Sequence, residues 1–122
     1  MSDRKYRLTA LADADIDSIL AYTLQEFGTV QFDLYLRLID KAAQMVGIDP
    51  NRAGSQSRDE LGPGIRSFHL QIAAARLGAA SHILYYIPGL MVDGASGALI
   101  LRVLWEGMEP ELRVAQGFDA LE

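Results

Sequence analysis

Few side chains in this sequence are equipped for chemistry. There are two histidines, His69 and His82, and no cysteine. Without thiols there is no cysteine nucleophile, no disulfide framework and no thiolate zinc site. Two imidazoles could approach each other across a hairpin, but without a third ligand they make a poor metal site, so no metal or cofactor is expected. Ser67 and Ser81 have no relay to an acid, which argues against a hydrolase triad. Gly62, Gly64, Gly89, Gly94 and Gly97 match no phosphate-cradling pattern. The conspicuous cations are Arg66 and Arg102, each inside an otherwise apolar strand pattern. Either they pair with carboxylates or snorkel at the sheet rim, or they mark a working face. Arg58 precedes Asp59 and Glu60 and either pairs with one of them or caps a turn. Trp105 and Met108 follow the last strand pattern, where a tryptophan either packs or anchors an interface.

The elements that must position these residues are legible from periodicity. Tyr6 and Leu8 alternate with Lys5, Arg7 and Thr9, as in a short strand with one buried face. Thr9 can cap a helix whose first turns carry Asp13 and Asp15, where the dipole favours negative charge. Ile16, Ile19, Leu20, Thr23 and Phe27 form its apolar stripe, and Gly28 ends it. A second stripe follows, with Phe32, Tyr35, Leu36, Ile39, Ala43 and Val46. Arg37, Asp40, Lys41 and Gln44 fall on the opposite side, and Gly47 and Pro50 close the helix. Two helices joined only at Gly28 must fold back on each other, so 10–47 reads as an antiparallel helical hairpin.

Residues 49–64 are polar and irregular. Three strand patterns follow: Ile65, Phe68, Leu70 and Ile72; then Ile83 to Ile87; then Leu99 to Trp105. The last is apolar on both faces apart from Arg102 and is therefore expected in the sheet interior. Asp93-Gly94 signals the turn before it. The alanine-rich Ala73–Ala80 stretch reads as a hairpin tip or a short helical piece. The expected fold is α+β, ordered β-α-α-β-β-β, with the hairpin laid on a mostly antiparallel sheet.

At 122 residues the chain suits a single domain, 1–122. It is 50% hydrophobic and 22% charged, which excludes disorder as a default. Its net charge of −5 disfavours nonspecific nucleic-acid binding, which draws on counterion release. The longest uncharged stretch, Leu77–Val92, is broken by Gly78, Pro88 and Gly89 and falls short of the ~20 residues of a membrane span. Met1–Arg7 has no apolar signal-peptide core, so a cytoplasmic protein is expected.

YRLTALADADIDSI (6–19), FGTVQFDLYL (27–36), RDELGPGIRSF (58–68), HILYY (82–86) and LRVLWEGMEPE (101–111) together resemble ParE-type toxins of the RelE/ParE toxin–antitoxin superfamily. The resemblance covers roughly residues 4–113, with motif order and spacing kept. It implies a toxin neutralised by a cognate ParD-like antitoxin in a hetero-oligomer. It also implies one of two activities: inhibition of DNA gyrase without catalysis, as in ParE relatives, or ribosome-dependent mRNA cleavage, as in RelE relatives. Cutting RNA through its 2′-hydroxyl needs a base, an acid and a cation for the phosphate. Here the tail Gly107-Met108-Glu109-Pro110-Glu111 offers two acids, with Arg113 the basic residue beyond them. Trp105 stands where family members usually carry histidine, and alanines replace basic residues between the second and third strands. Both departures lower positive charge and favour the noncatalytic reading. The resemblance suggests Ile16, Leu20, Tyr35, Arg37, Lys41, Arg58 and Arg66 as antitoxin contacts. For the cellular target it suggests Arg102, Trp105, Met108 and Arg113.

Overall fold

The computed structural model describes residues 4–76, 78–90 and 96–119. The Asp93-Gly94 turn, together with Leu77, Met91 and Val92 of the uncharged stretch, lies outside them. The elements in order are β1 (Tyr6–Leu8), α1 (Ala10–Ile48), β2 (Gln56–Ser57), a 3-10 turn (Asp59–Leu61), β3 (Arg66–His69), α2 (Leu70–Ala74), β4 (His82–Leu90), β5 (Ser96–Trp105) and α3 (Pro110–Asp119). The strands form one sheet in the order β1-β5-β4-β3-β2. All pairings are antiparallel except that of β1 with β5, where Tyr6 faces Ala98.

α1 is the helical hairpin. A straight helix of its 39 residues would span about 58 Å at ~1.5 Å per residue. Yet its far end touches the strand that precedes it: the Lys5 N–H donates to Gln44 Oε1 at 2.8 Å and the Tyr6 hydroxyl to Asp40 Oδ1 at 2.6 Å. The reversal is at Gly28, whose φ of 88° and ψ of −177° lie outside helical space and in a region that an L side chain rarely adopts. Two arms result, 10–27 and 29–48. Thr9 caps the first by accepting the Ala12 N–H at 3.0 Å. Gly47 is a helical residue and not the stop. It is buried against Lys5, and a Cβ there would overlap the Lys5 carbonyl. The helix ends at Ile48, two residues before Pro50.

The sheet has a core on each face. On the hairpin side, Ile16, Leu20, Ile39, Ala43 and Val46 pack with Tyr6, Phe68, Leu84, Tyr86, Ile100 and Val103. On the other side a smaller group joins Ile65, Tyr85, Leu101 and Leu104 to Val114 of α3. β5 serves both cores and lies between β1 and β4, the interior place its apolar run predicts.

Three expectations need correction. Leu70 and Ile72 are not strand residues: the strand stops at His69 and they belong to α2. His69 is the reason, because its Nδ1 accepts the Gln71 N–H at 3.1 Å and caps the helix. α2 also takes in Ala73 and Ala74, so the helical alternative holds for the start of the alanine-rich stretch. The stripe of the first arm ends before Phe27, which is 64% exposed beside the Gly28 reversal. The expected order β-α-α-β-β-β lacks a helix after the last strand, where α3 begins at Pro110. Proline suits a first helical position because its missing N–H would have no partner there.

Candidate functional site

An open furrow runs between the first arm of α1 and the end of β5. A cavity of about 270 Å³ is lined by Asp15, Ile19 and Tyr22 of the arm, Arg102 and Trp105 of β5, and Met108 and Arg113 beyond it. A second cavity, of about 260 Å³, continues past the shared residues Tyr22 and His82 to Phe27, Tyr35 and Ala80. All four residues named as target contacts from sequence, Arg102, Trp105, Met108 and Arg113, therefore line one cavity.

Their chemistry differs. Trp105 is 53% exposed, and the Met108 N–H donates to its carbonyl at 2.9 Å, which fixes the turn leading into α3. Arg113 is exposed. Arg102 is only 7% exposed and fully engaged. Its Nε and Nη2 donate to Asp15 Oδ2 and Oδ1, both at 2.7 Å, and Nη1 donates to the Arg113 carbonyl at 3.0 Å. The hydrogen bonds it donates to Asp15 push the guanidinium pKa further above its already high value. The carboxylate pair that the sequence offered for Arg102 is present, and the residue also lines the cavity. A guanidinium buried to this degree, with a bond at each nitrogen, is poorly placed to grip a phosphate.

The two histidines are tied into the frame. The burial of His82 lowers its pKa and favours the neutral ring; nearby Glu106 opposes that shift and His69 adds to it. The Tyr35 hydroxyl is hydrogen-bonded to His82 Nδ1 at 2.6 Å, and the Ser81 N–H donates to the same hydroxyl at 3.4 Å. Burial in turn raises the Tyr35 pKa, so its proton stays in place at neutral pH. His69 is used at both nitrogens: Nδ1 accepts from Gln71, so Nε2 carries the proton that it donates to Glu106 Oε2 at 2.6 Å. Among the described residues no cluster of three or more potential ligands could hold a metal ion.

The residues named as antitoxin contacts do not form one surface. Ile16 and Leu20 are 9% and 7% exposed and sit in the hairpin core, so their side chains have little area to offer a partner. Tyr35 lines the second cavity. Arg37 is exposed and paired with Asp33 at 3.0 Å, and Lys41 is exposed. Arg58 pairs with Glu60 at 2.7 Å, one of the two neighbouring acids its position offered. Arg66 donates to the Pro50 carbonyl at 3.1 Å and to Ser55 Oγ at 2.8 Å, which fastens the 50–55 loop to the sheet. Neither Arg58 nor Arg66 lines the furrow. Sequence reasoning missed Asp15, Ser18 and Tyr22 as furrow residues. Their spacing with Ile19 is a helical stripe in its own right, beside the one that faces the core.

A helical hairpin laid on a mostly antiparallel five-stranded sheet, with a furrow beside the last strand, is the RelE/ParE-like architecture. Residues 6–110 match the family model described as ParE toxin of the type II toxin–antitoxin system parDE. The chain is also 30% identical over 105 residues to Toxin ParE1 of Caulobacter vibrioides, an alignment covering 86% of this chain and 92% of that protein. The chain belongs to the ParE toxin family of type II toxin–antitoxin systems.

Proposed function

We propose that this toxin acts by binding and not by catalysis, that its target is DNA gyrase, and that a cognate ParD-like antitoxin neutralises it in a hetero-oligomer. The observation that carries the noncatalytic reading is the state of Arg102. Arg102, the buried cation lining the furrow, is held by Asp15 at two nitrogens, so among the described residues exposed Arg113 is the other arginine there, a sparse set for a reaction that needs a base, an acid and a cation on the phosphate. Exposed Trp105 and the half-buried Met108 instead suit apolar anchoring of a protein target. For the antitoxin, an amphipathic helix and an extended tail laid over the hairpin and adjoining sheet fit the exposed apolar side chains of the hairpin bend, Tyr22, Phe27, Val30 and Leu34. Gyrase as the target implies a cytoplasmic site of action. Among the described residues no helix is long and apolar enough to cross a membrane.

The test is to induce the protein without its antitoxin and to assay it purified. Growth arrest with inhibited gyrase supercoiling and intact ribosome-bound mRNA is expected. Rapid codon-specific cleavage of mRNA would overturn the reading in favour of a RelE-like endoribonuclease.

A further inference from the structure

β5 contains a register shift. Tyr85 faces Arg102, but the next residue, Tyr86, faces Ile100, so Leu101 has no partner on β4. Such a bulge reverses which backbone groups point to each side of the strand. Before it, β5 hydrogen-bonds to the β1 side through backbone, with the Thr9 N–H donating to the Ile100 carbonyl at 3.1 Å. After it, β1 has ended and side chains of the α1 start take over. Thr9 Oγ1 donates to the Leu101 carbonyl at 2.8 Å, and the Val103 N–H donates to Asp15 Oδ2 at 3.0 Å. The Asp15 carboxylate thus closes an open strand edge and holds two of the three arms of the Arg102 fork. The third arm of that fork reaches the Arg113 carbonyl in α3.

Among the described residues, α3 meets β5 and the 3-10 turn through a small set of contacts. Val114 is its one side chain in the smaller core among the described residues, and Gly117 lets the helix lie close to the Leu101 carbonyl. A guanidinium is planar and rigid, so fixing two of its nitrogens on Asp15 fixes where the third points. We propose that Asp15 is a positioning residue for α3. By orienting Arg102 it holds the first turns of α3 on β5, and with them the stance of Trp105, Met108 and Arg113. The functional part of this inference rests on the reading of that face as the target contact. Its structural part does not. Without the Asp15 charge, Arg102 is a buried cation with no counterion; it must turn to solvent and leave Arg113, and α3 then opens locally.

Hydrogen exchange on the full chain tests this, with the sequence's one tryptophan, Trp105, as a fluorescence reporter. In Asp15→Asn the amides of 114–117 should exchange faster by about tenfold or more, while those of Val46, Leu84 and Tyr86 keep their protection. The Trp105 emission should shift as well. Asp15→Glu, which keeps the charge, should return most of the protection. Should Asp15→Asn not fold, Arg102→Lys decides the matter, because an ammonium cannot span Asp15 and the Arg113 carbonyl together, and it should release α3 alone. Unchanged α3 exchange in a folded variant, a rise shared by the whole chain in both variants, or no recovery in Asp15→Glu overturns the proposal. Released α3 with lost gyrase inhibition supports the positioning role together with the target face. Released α3 with inhibition intact supports the positioning role and overturns the target face.

Discussion

The two faces of the sheet are built differently. On the hairpin side, two helical arms cover it with a continuous apolar layer, tied down by Thr9, Gln44 and Asp40. On the α3 side a small cluster ends in Val114, and an ion pair borrowed from the opposite layer supplies the remaining hold. The first face is an interior that happens to lie next to a furrow. On the second, among the described residues, a hydrogen bond from Arg102 to the Arg113 carbonyl stands beside the small cluster. Stability and recognition are thereby separated: the residues that keep the chain folded are mostly not those exposed at the furrow.

Core truncations should show this contrast most strongly. Ile39 is 4% exposed in the middle of the hairpin layer, and Ile39→Ala should cost ~2–5 kcal/mol in denaturant unfolding. Val114→Ala should cost about 1–2 kcal/mol, at ~0.8 kcal/mol for each buried methylene-sized group lost. Equal losses at the two sites would erase the distinction between the faces.

A smaller effect should follow pH. Because burial lowers the His82 pKa, the unfolded chain takes up this proton before the folded one does. The site costs nothing above the ordinary imidazole value of about 6.5 and subtracts stability progressively as pH falls below it, until the folded pKa is passed. Thermal unfolding of His82→Gln, measured across that window beside the parent chain, should lack this part of the slope. A variant with the same slope would place the titration elsewhere, outside the Tyr35 contact.

The smallest effect belongs to the surface of the second arm. Arg37 and Asp33 form an exposed i, i+4 pair, worth ~0.3–0.5 kcal/mol. Arg37→Ala should therefore leave the unfolding free energy nearly unchanged. Calorimetric titration with the antitoxin would then show directly whether Arg37 contributes to binding, since a loss of affinity could not be ascribed to misfolding.

How much of this was legible in the sequence depended on range. The hairpin was, because its two stripes, the Thr9 cap and the Gly28 break are local signals that agree with one another. So was the interior place of β5, since a strand apolar on both faces has nowhere else to go. α2 was not: Phe68, Leu70 and Ile72 alternate as a strand does, and five helical residues are too few to show a period of 3.6. α3 carried its own marks, Pro110 at the start and Glu111 beside it, but they are easily passed over after the turn at Gly107. At the site, the gathering of Trp105, Met108 and Arg113 followed from their closeness in sequence. The partner of Arg102 did not. The chain offers many carboxylates, and only the bulge at Leu101, invisible in composition or periodicity, brings the strand edge to Asp15. Ile16 and Leu20 were read correctly as a helical stripe, but a stripe does not say whether a partner or the protein's own sheet covers it.

The parallel pairing of β1 with β5 bears on when during synthesis the molecule can close. β1 takes its place beside β5, which is made much later, and the Thr9 cap leans on Ile100 and Leu101. The hairpin can form early from local contacts, but its apolar layer has no completed floor until β5 has been made, and long-range pairings of this kind form slowly. A nascent chain therefore carries a bare helical hairpin through most of its synthesis, and the furrow, bordered by Arg102 and Trp105, does not yet exist. The furrow therefore assembles only once β5 and the residues up to Arg113 have been made.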